Sequence, residues 1–153
     1  MILGNSPQSR LFERLRQKDG LSYGVASFFQ PNSFEANSRF GLYAIFAPEN
    51  LERVRRGFSE EMALALKDGF TDAEIKIAKD ALMQERRLGR NEDGSVAGTL
   101  ANQSYLSRTW STSGKIDEAI ESLTTADVNA VLRKYIKPDD FGYAVAGEFA
   151  KKK

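Results

Sequence analysis

The stretch from Leu11 to Phe29 constrains the fold of this 153-residue chain more than any other. Leu11, Phe12 and Leu15 recur at the spacing of one helix face, with charged residues at most positions between. Gln17, Lys18 and Asp19 lead to Gly20, the residue type that best tolerates the left-handed backbone closing a helix. Leu21, Tyr23, Val25 and Phe29 then fall on alternate positions, so a strand starts at once. Two elements joined this tightly bring Arg16, on the last helical turn, and Tyr23, near the start of the strand, to the same end of the structure.

Composition removes several kinds of chemistry. The chain has no His and no Cys, so imidazole bases, the usual serine triads, thiolate nucleophiles, disulfides and His- or Cys-ligated zinc sites cannot be built from it. Twenty-two basic and 21 acidic residues nearly cancel, leaving no overall field to steer nucleic acid or an anionic membrane. No apolar run approaches the roughly 18 residues of a membrane span, and Met1-Ile2-Leu3-Gly4 has neither a basic start nor a long apolar core. An ordinary soluble balance of residues fits a bacterial periplasm or a cytoplasm equally.

Along the chain, Ser6 and Pro7 predict a helix from Pro7 to Lys18, capped by the serine and with proline in the first turn. Strands are expected over 21–30 and, clearest from Arg39, over 34–47, paired antiparallel through the turn cluster at Pro31-Asn32-Ser33. Helical stripes follow at about 50–67, 71–87, 96–106, 116–123 and 124–135, and Thr71–Glu74 and Thr124–Asp127 have the spacing of N-terminal caps. Phe141–Gly147 alternates as a closing strand, and Lys151–Lys153 forms a polar tail. This order predicts a single α+β domain over residues 1–153, with helices packed on an antiparallel sheet.

Most charged clusters have simple explanations. Glu60 and Glu61 are adjacent on a helix and do not face each other, and Glu92-Asp93 sits where a cap is needed. Arg53-Arg55-Arg56 and Arg86-Arg87-Arg90 lie among apolar helix positions and read as solvated faces. Trp110 reads as a packing anchor, and the glycines form no phosphate loop. Arg16 and Tyr23 remain. A planar guanidinium can grip a peptide carbonyl or carboxylate through paired donors, or it can satisfy its own helix terminus or pair with Glu13. A phenol can donate to a developing oxyanion, or serve as a cross-strand aromatic.

Ser9-Arg10-Leu11-Phe12, then Leu15-Arg16, three residues, and Gly20-Leu21-Ser22-Tyr23 resemble the arginine/tyrosine motif in the C-terminal domain of pitrilysin/insulinase-type (M16, inverted zincin) zinc peptidases. The resemblance covers nearly the whole chain and is most specific over residues 9–24. It implies an M16 peptidase-like αβ domain in which Arg16 and Tyr23 face a zinc site across an enclosed chamber. Tyr23 would meet the oxyanion formed when a metal-bound water attacks a peptide carbonyl. The zinc motif, His-x-x-Glu-His, is absent here, so the resemblance places Zn2+ in a catalytic M16 domain or subunit that partners this one, and an extended peptide as the shared substrate. Family members carry strands ahead of the segment resembling Leu3-Gly4, so an N-terminally truncated piece of a longer chain is expected. Two functions follow: the substrate-binding and oxyanion-stabilising domain of a zinc endopeptidase, or a non-catalytic scaffold or assembly subunit of the same superfamily. A domain that had lost the peptidase task could drift at Arg16 and Tyr23, and both are present, which favours the first.

The isolated 153-residue chain should hold no stoichiometric zinc and cleave no peptide, because only carboxylates remain as charged ligands. Elemental analysis of dialysed protein checks this; one tightly held zinc per chain would overturn it.

Overall fold

A computed structural model describes residues 1–149; the expected tail Lys151–Lys153 lies outside the described residues. The described chain forms two compact units, one made of residues 1–70 and 129–149, the other of residues 71–128.

The first unit holds the sheet. Helix α1, Arg10–Phe12, runs without a break into a wider π-helical turn over Glu13–Lys18. Strands β1, Ser22–Gln30, and β2, Arg39–Phe46, pair antiparallel. The loop between them is organised by Asn32, whose side-chain oxygen accepts from the backbone N–H groups of Phe34 and Glu35. A 3-10 turn, Pro48–Asn50, then leads into helix α2, Leu51–Asp68. The helical segment starts later than Pro7. The N–H groups of Arg10 and Leu11 donate to the carbonyls of Ile2 and Leu3 at 3.0 and 3.1 Å, so the preceding turn satisfies donors that a cap would otherwise serve.

Leu11, Leu15, Met62 and Ala65 are essentially inaccessible, with Leu21, Val25, Val54 and Phe70 around them. This core requires a notch in α2. A Cβ at Gly57 would stand 2.7 Å from Cδ2 of Leu15, so the glycine lets the π-helical turn seat against α2. Arg14 secures the same contact from the surface, donating to Asp19 at 2.9 Å and to Glu60 at 2.7 Å.

The C-terminal end of α2 is pinned by three side chains. Gly69 turns with φ +79°, and its carbonyl accepts from Arg10 at 2.9 Å. Asn129 accepts from the Phe70 N–H and donates to the Phe70 carbonyl, imitating a strand partner. Arg133 donates to the carbonyls of Leu66 and Lys67, the helix-end oxygens that lack an internal donor.

The expected closing strand over Phe141–Gly147 is not formed. The segment has no ladder partner among the described residues; the Phe141 and Tyr143 rings instead pack edge-on against Phe58 of α2 at 5.7 and 6.1 Å. Alternation alone cannot distinguish a strand from an extended segment laid against a helix.

The second unit is helical: α3, Asp72–Gly89; α4, Asp93–Tyr105; α5, Ser111–Ser122; and the start of α6, Thr125–Tyr135. Both expected caps form. Thr71 and Glu74 bond reciprocally, and Thr124 and Asp127 do the same, which holds the Asp127 carboxyl below its usual range. Arg86 and Arg90 do not form a solvated face. They converge from α3 on Asp117 of α5, and Arg86 also donates to the Ser113 carbonyl at 3.2 Å. Trp110 is 41% exposed at the start of α5 and is no core anchor. The architecture is α+β, and among the described residues no helix is long and apolar enough to cross a membrane.

Three substitutions test this packing. Gly57→Val should lower stability by about 1–3 kcal/mol through overpacking against Leu15. Gly57→Ala should lower it less, because alanine regains about 1 kcal/mol of helix propensity; denaturant midpoints give both values. In the second unit, the hydrogen bond from Arg86, then that from Arg90, hold the Asp117 carboxyl below its ordinary range against the opposing effect of burial. A depressed folded-state pKa stabilises above the unfolded value, about 3.9, and that contribution is lost as pH falls through the lower folded value. Asp117→Asn should therefore destabilise by about 1–3 kcal/mol at pH 7. The gap from the parent should shrink below about pH 4 in pH-resolved melting curves.

Candidate functional site

The turn from α1 into β1 brings Arg16 and Tyr23 together, through two local distortions that hydrophobic spacing did not predict. The first is the π-helical turn. Its backbone closes at longer range than an α-helix, with the Asp19 N–H donating to the Arg14 carbonyl at 3.1 Å and Leu21 N–H to the Leu15 carbonyl at 2.8 Å. Gly20, at φ +62°, supplies the left-handed residue that lets the chain reverse between those bonds. Arg16 is thus held beside Leu15, whose side chain is buried and whose carbonyl ties down the residue that leads into β1.

The second distortion is a β-bulge. Ser22 pairs with Phe46 and Gly24 with Ile45, so two steps along β1 oppose one along β2 and Tyr23 is the extra residue. Alternation grouped Tyr23 with Leu21 and Val25. Those two are buried, at 4% and 9% exposure, while Tyr23 is 77% exposed. The bulge takes Tyr23 out of the alternating pattern and turns its ring to the surface. The hydroxyl of Ser22, a buried polar residue, shares its proton between the carbonyls of Gly24 at 2.7 Å and Ile45 at 3.0 Å.

The guanidinium carbon of Arg16 lies 5.4 Å from the centroid of the Tyr23 ring and 5.0 Å from that of Phe12, both within cation–π range. The Arg16 side chain makes no hydrogen bond or ion pair among the described residues. Glu13, one of the partners open to Arg16 from the sequence, instead meets Lys18 at 3.1 Å. The guanidinium is therefore oriented by two ring faces while its N–H groups stay available. Beside it, Leu21, Tyr23, Ile45, Phe46 and Ala47 line a wide, open groove of about 440 Å3.

Sequence reasoning missed Arg14, Ser22 and Gly57, which hold this arrangement in place. Nothing in one sequence marks a π-helical turn or a bulge, and the serine in Gly20-Leu21-Ser22-Tyr23 was legible only as part of the motif. No group of three or more His, Cys, Asp or Glu residues able to hold a metal occurs among the described residues, and the chain has no His or Cys, so its residues do not fit a zinc centre.

Comparisons with known proteins agree with this architecture. The chain is 30% identical over 151 residues to an uncharacterized zinc protease of Mycobacterium leprae, spanning 99% of this chain and 33% of that protein. It thus covers about a third of the length of such relatives. Its fold matches the crystal structure of a peptidase M16 inactive domain from Pseudomonas fluorescens with a TM-score of 0.77 at 26% identity, covering 89% of this chain and 32% of that one. The periplasmic protease PqqL of Escherichia coli is similar in fold, with a TM-score of 0.68 at 17% identity over 83% of this chain and 14% of its own. A family model described as the peptidase M16 inactive domain matches residues 1–82, more than half of the sequence, and the chain belongs to that family.

Proposed function

We propose that this domain binds an extended peptide and stabilises charge on the carbonyl under attack. The zinc motif, His-x-x-Glu-His, would lie in a partner M16 domain or subunit. The observation that carries this reading is the Arg16–Tyr23 pair: an oriented guanidinium with its donors available, 5.4 Å from the ring of an exposed tyrosine. In this reading Arg16 holds a main-chain carbonyl with its planar fork, and the Tyr23 phenol donates to a neighbouring carbonyl oxygen as that oxygen gains negative charge. The names of the relatives, zinc proteases, support the reaction class. The metal belongs to the partner, and this chain's part is confined to the peptide.

Exposure itself argues for a covering partner. At 77% exposure the phenol donates to water as readily as to a substrate, and a donor aimed at developing charge gains most when water is excluded. A second half closing over this face supplies that exclusion. The scaffold reading draws support from the outer sheet face, where Tyr43 and Ile45 are 56% and 57% exposed, but it gives no reason for an available guanidinium beside Tyr23.

Kinetics of a complete, zinc-loaded peptidase carrying this domain separate the readings. Tyr23→Phe should lower kcat about 10²–10³-fold with KM and melting temperature nearly unchanged, because the lost donor acts mainly in the transition state. Arg16→Lys should lower kcat/KM by about tenfold or more at unchanged stability, the equivalent of one charge-assisted hydrogen bond. An ammonium keeps the charge and loses the fork. Wild-type kinetics in both variants would leave the scaffold reading in the lead.

A further inference from the structure

From the bulge geometry we infer that Ser22 is a positioning residue for Tyr23, its hydroxyl fixing the bulge that presents the phenol. This rests on the reading of Tyr23 as an oxyanion donor and adds a residue to it. A bulge residue lacks a ladder partner, so its orientation is only as firm as the bonds on either side. Here one side-chain oxygen adds to the ladder pairs Ser22–Phe46 and Gly24–Ile45 that flank Tyr23. The Ser22 hydroxyl reaches the carbonyl of Gly24, two residues on in β1, at 2.7 Å, and the carbonyl of Ile45, across the ladder, at 3.0 Å. Gly24 and Ile45 are the pair that resumes the register after Tyr23. One hydroxyl therefore ties together the residue before the bulge, the residue after it and the facing strand.

The burial pattern points the same way. Ser22 is 8% exposed and lies between a buried leucine and a tyrosine that is 77% exposed. A buried hydroxyl needs hydrogen-bond partners, and in the bulged register this one has two carbonyls within reach. In a regular strand, without the extra residue, the Gly24 carbonyl would shift along the ladder relative to Ile45. The hydroxyl would then lose its joint contact. Ser22 thus favours the bulged register over the regular one, and with it the surface position of the phenol next to Arg16.

The test uses a complete, zinc-loaded peptidase and follows kcat, KM and melting temperature for Ser22→Ala, Tyr23→Phe and the double variant. Ser22→Ala should lower kcat about tenfold to a hundredfold, the scale of a misplaced catalytic group, with KM within about twofold. In the Tyr23→Phe background the same change should produce no further loss, since no phenol is left to aim. An isosteric pair guards against a packing effect. Ser22→Thr keeps the hydroxyl and Ser22→Val does not, and Thr should exceed Val in kcat by about tenfold. Equal losses from Ser22→Ala with and without the phenol would overturn the positioning role, as would equal activity of Thr and Val. If Tyr23→Phe is damaging while Ser22→Ala is silent, Ser22 alone loses its role. If Tyr23→Phe is itself silent, the reading of Tyr23 fails and Ser22 has nothing to position.

Discussion

The contact on which the rest depends is the seat of Leu15 in the notch left by Gly57. It fixes the π-helical turn against α2, and the two residues that follow from it are fixed in consequence. The Leu15 carbonyl receives the Leu21 N–H at 2.8 Å, which sets where β1 begins, and Arg16 leaves the backbone immediately beyond the buried leucine. Arg14 reinforces the same geometry through Asp19 on the turn and Glu60 on α2. These ion pairs are partly exposed, so they orient more than they stabilise. The buried leucines, at 0% and 1% exposure, contribute the larger share, on the order of 2 kcal/mol each.

Around that seat the chain departs from regular structure twice within eleven residues, once as a π-helical turn over Glu13–Lys18 and once as a bulge at Tyr23. Each departure gives up regular backbone pairing, and both bracket the two side chains singled out by the arginine/tyrosine motif. Distortions of these kinds recur at functional sites because they re-aim side chains that a regular element would bury or point elsewhere. Arg16 and Tyr23 meet because one is carried outward by a widened turn and the other by an inserted residue. The Phe12 ring, at 5.0 Å from Arg16, holds the guanidinium from its own helix.

Much of the fold was legible in the sequence where local chemistry decides it. Gly20 turns with positive φ, the Thr71–Glu74 and Thr124–Asp127 caps form, and the Phe40–Leu42–Ala44 face of β2 is the less exposed one. What failed did so where a tertiary partner decides. The helix starts at Arg10 because Ile2 and Leu3 carbonyls reach its first donors. Phe141–Gly147 lies on α2 because Phe58 offers ring edges and no strand offers a ladder among the described residues. Arg86 and Arg90 find Asp117, about 30 residues away, a pairing no spacing rule reveals. Of the candidate site, the two side chains were named from the motif, and alternation grouped Tyr23 with Leu21 and Val25, both of which are buried. A single extra residue in one strand breaks that grouping, and nothing in the residue types announces it.

On the proposed reading, Arg16 and Tyr23 together hold the backbone of a bound peptide. The most direct measurement is a crystal structure of a complete M16 peptidase carrying this domain, with an uncleaved extended peptide in place. Arg16 guanidinium nitrogens and the Tyr23 phenol oxygen should then lie about 3 Å from main-chain carbonyl oxygens of that peptide, with the bulge at Tyr23 intact. A peptide bound by that peptidase while both side chains face solvent, or engage only the partner domain, would contradict this reading.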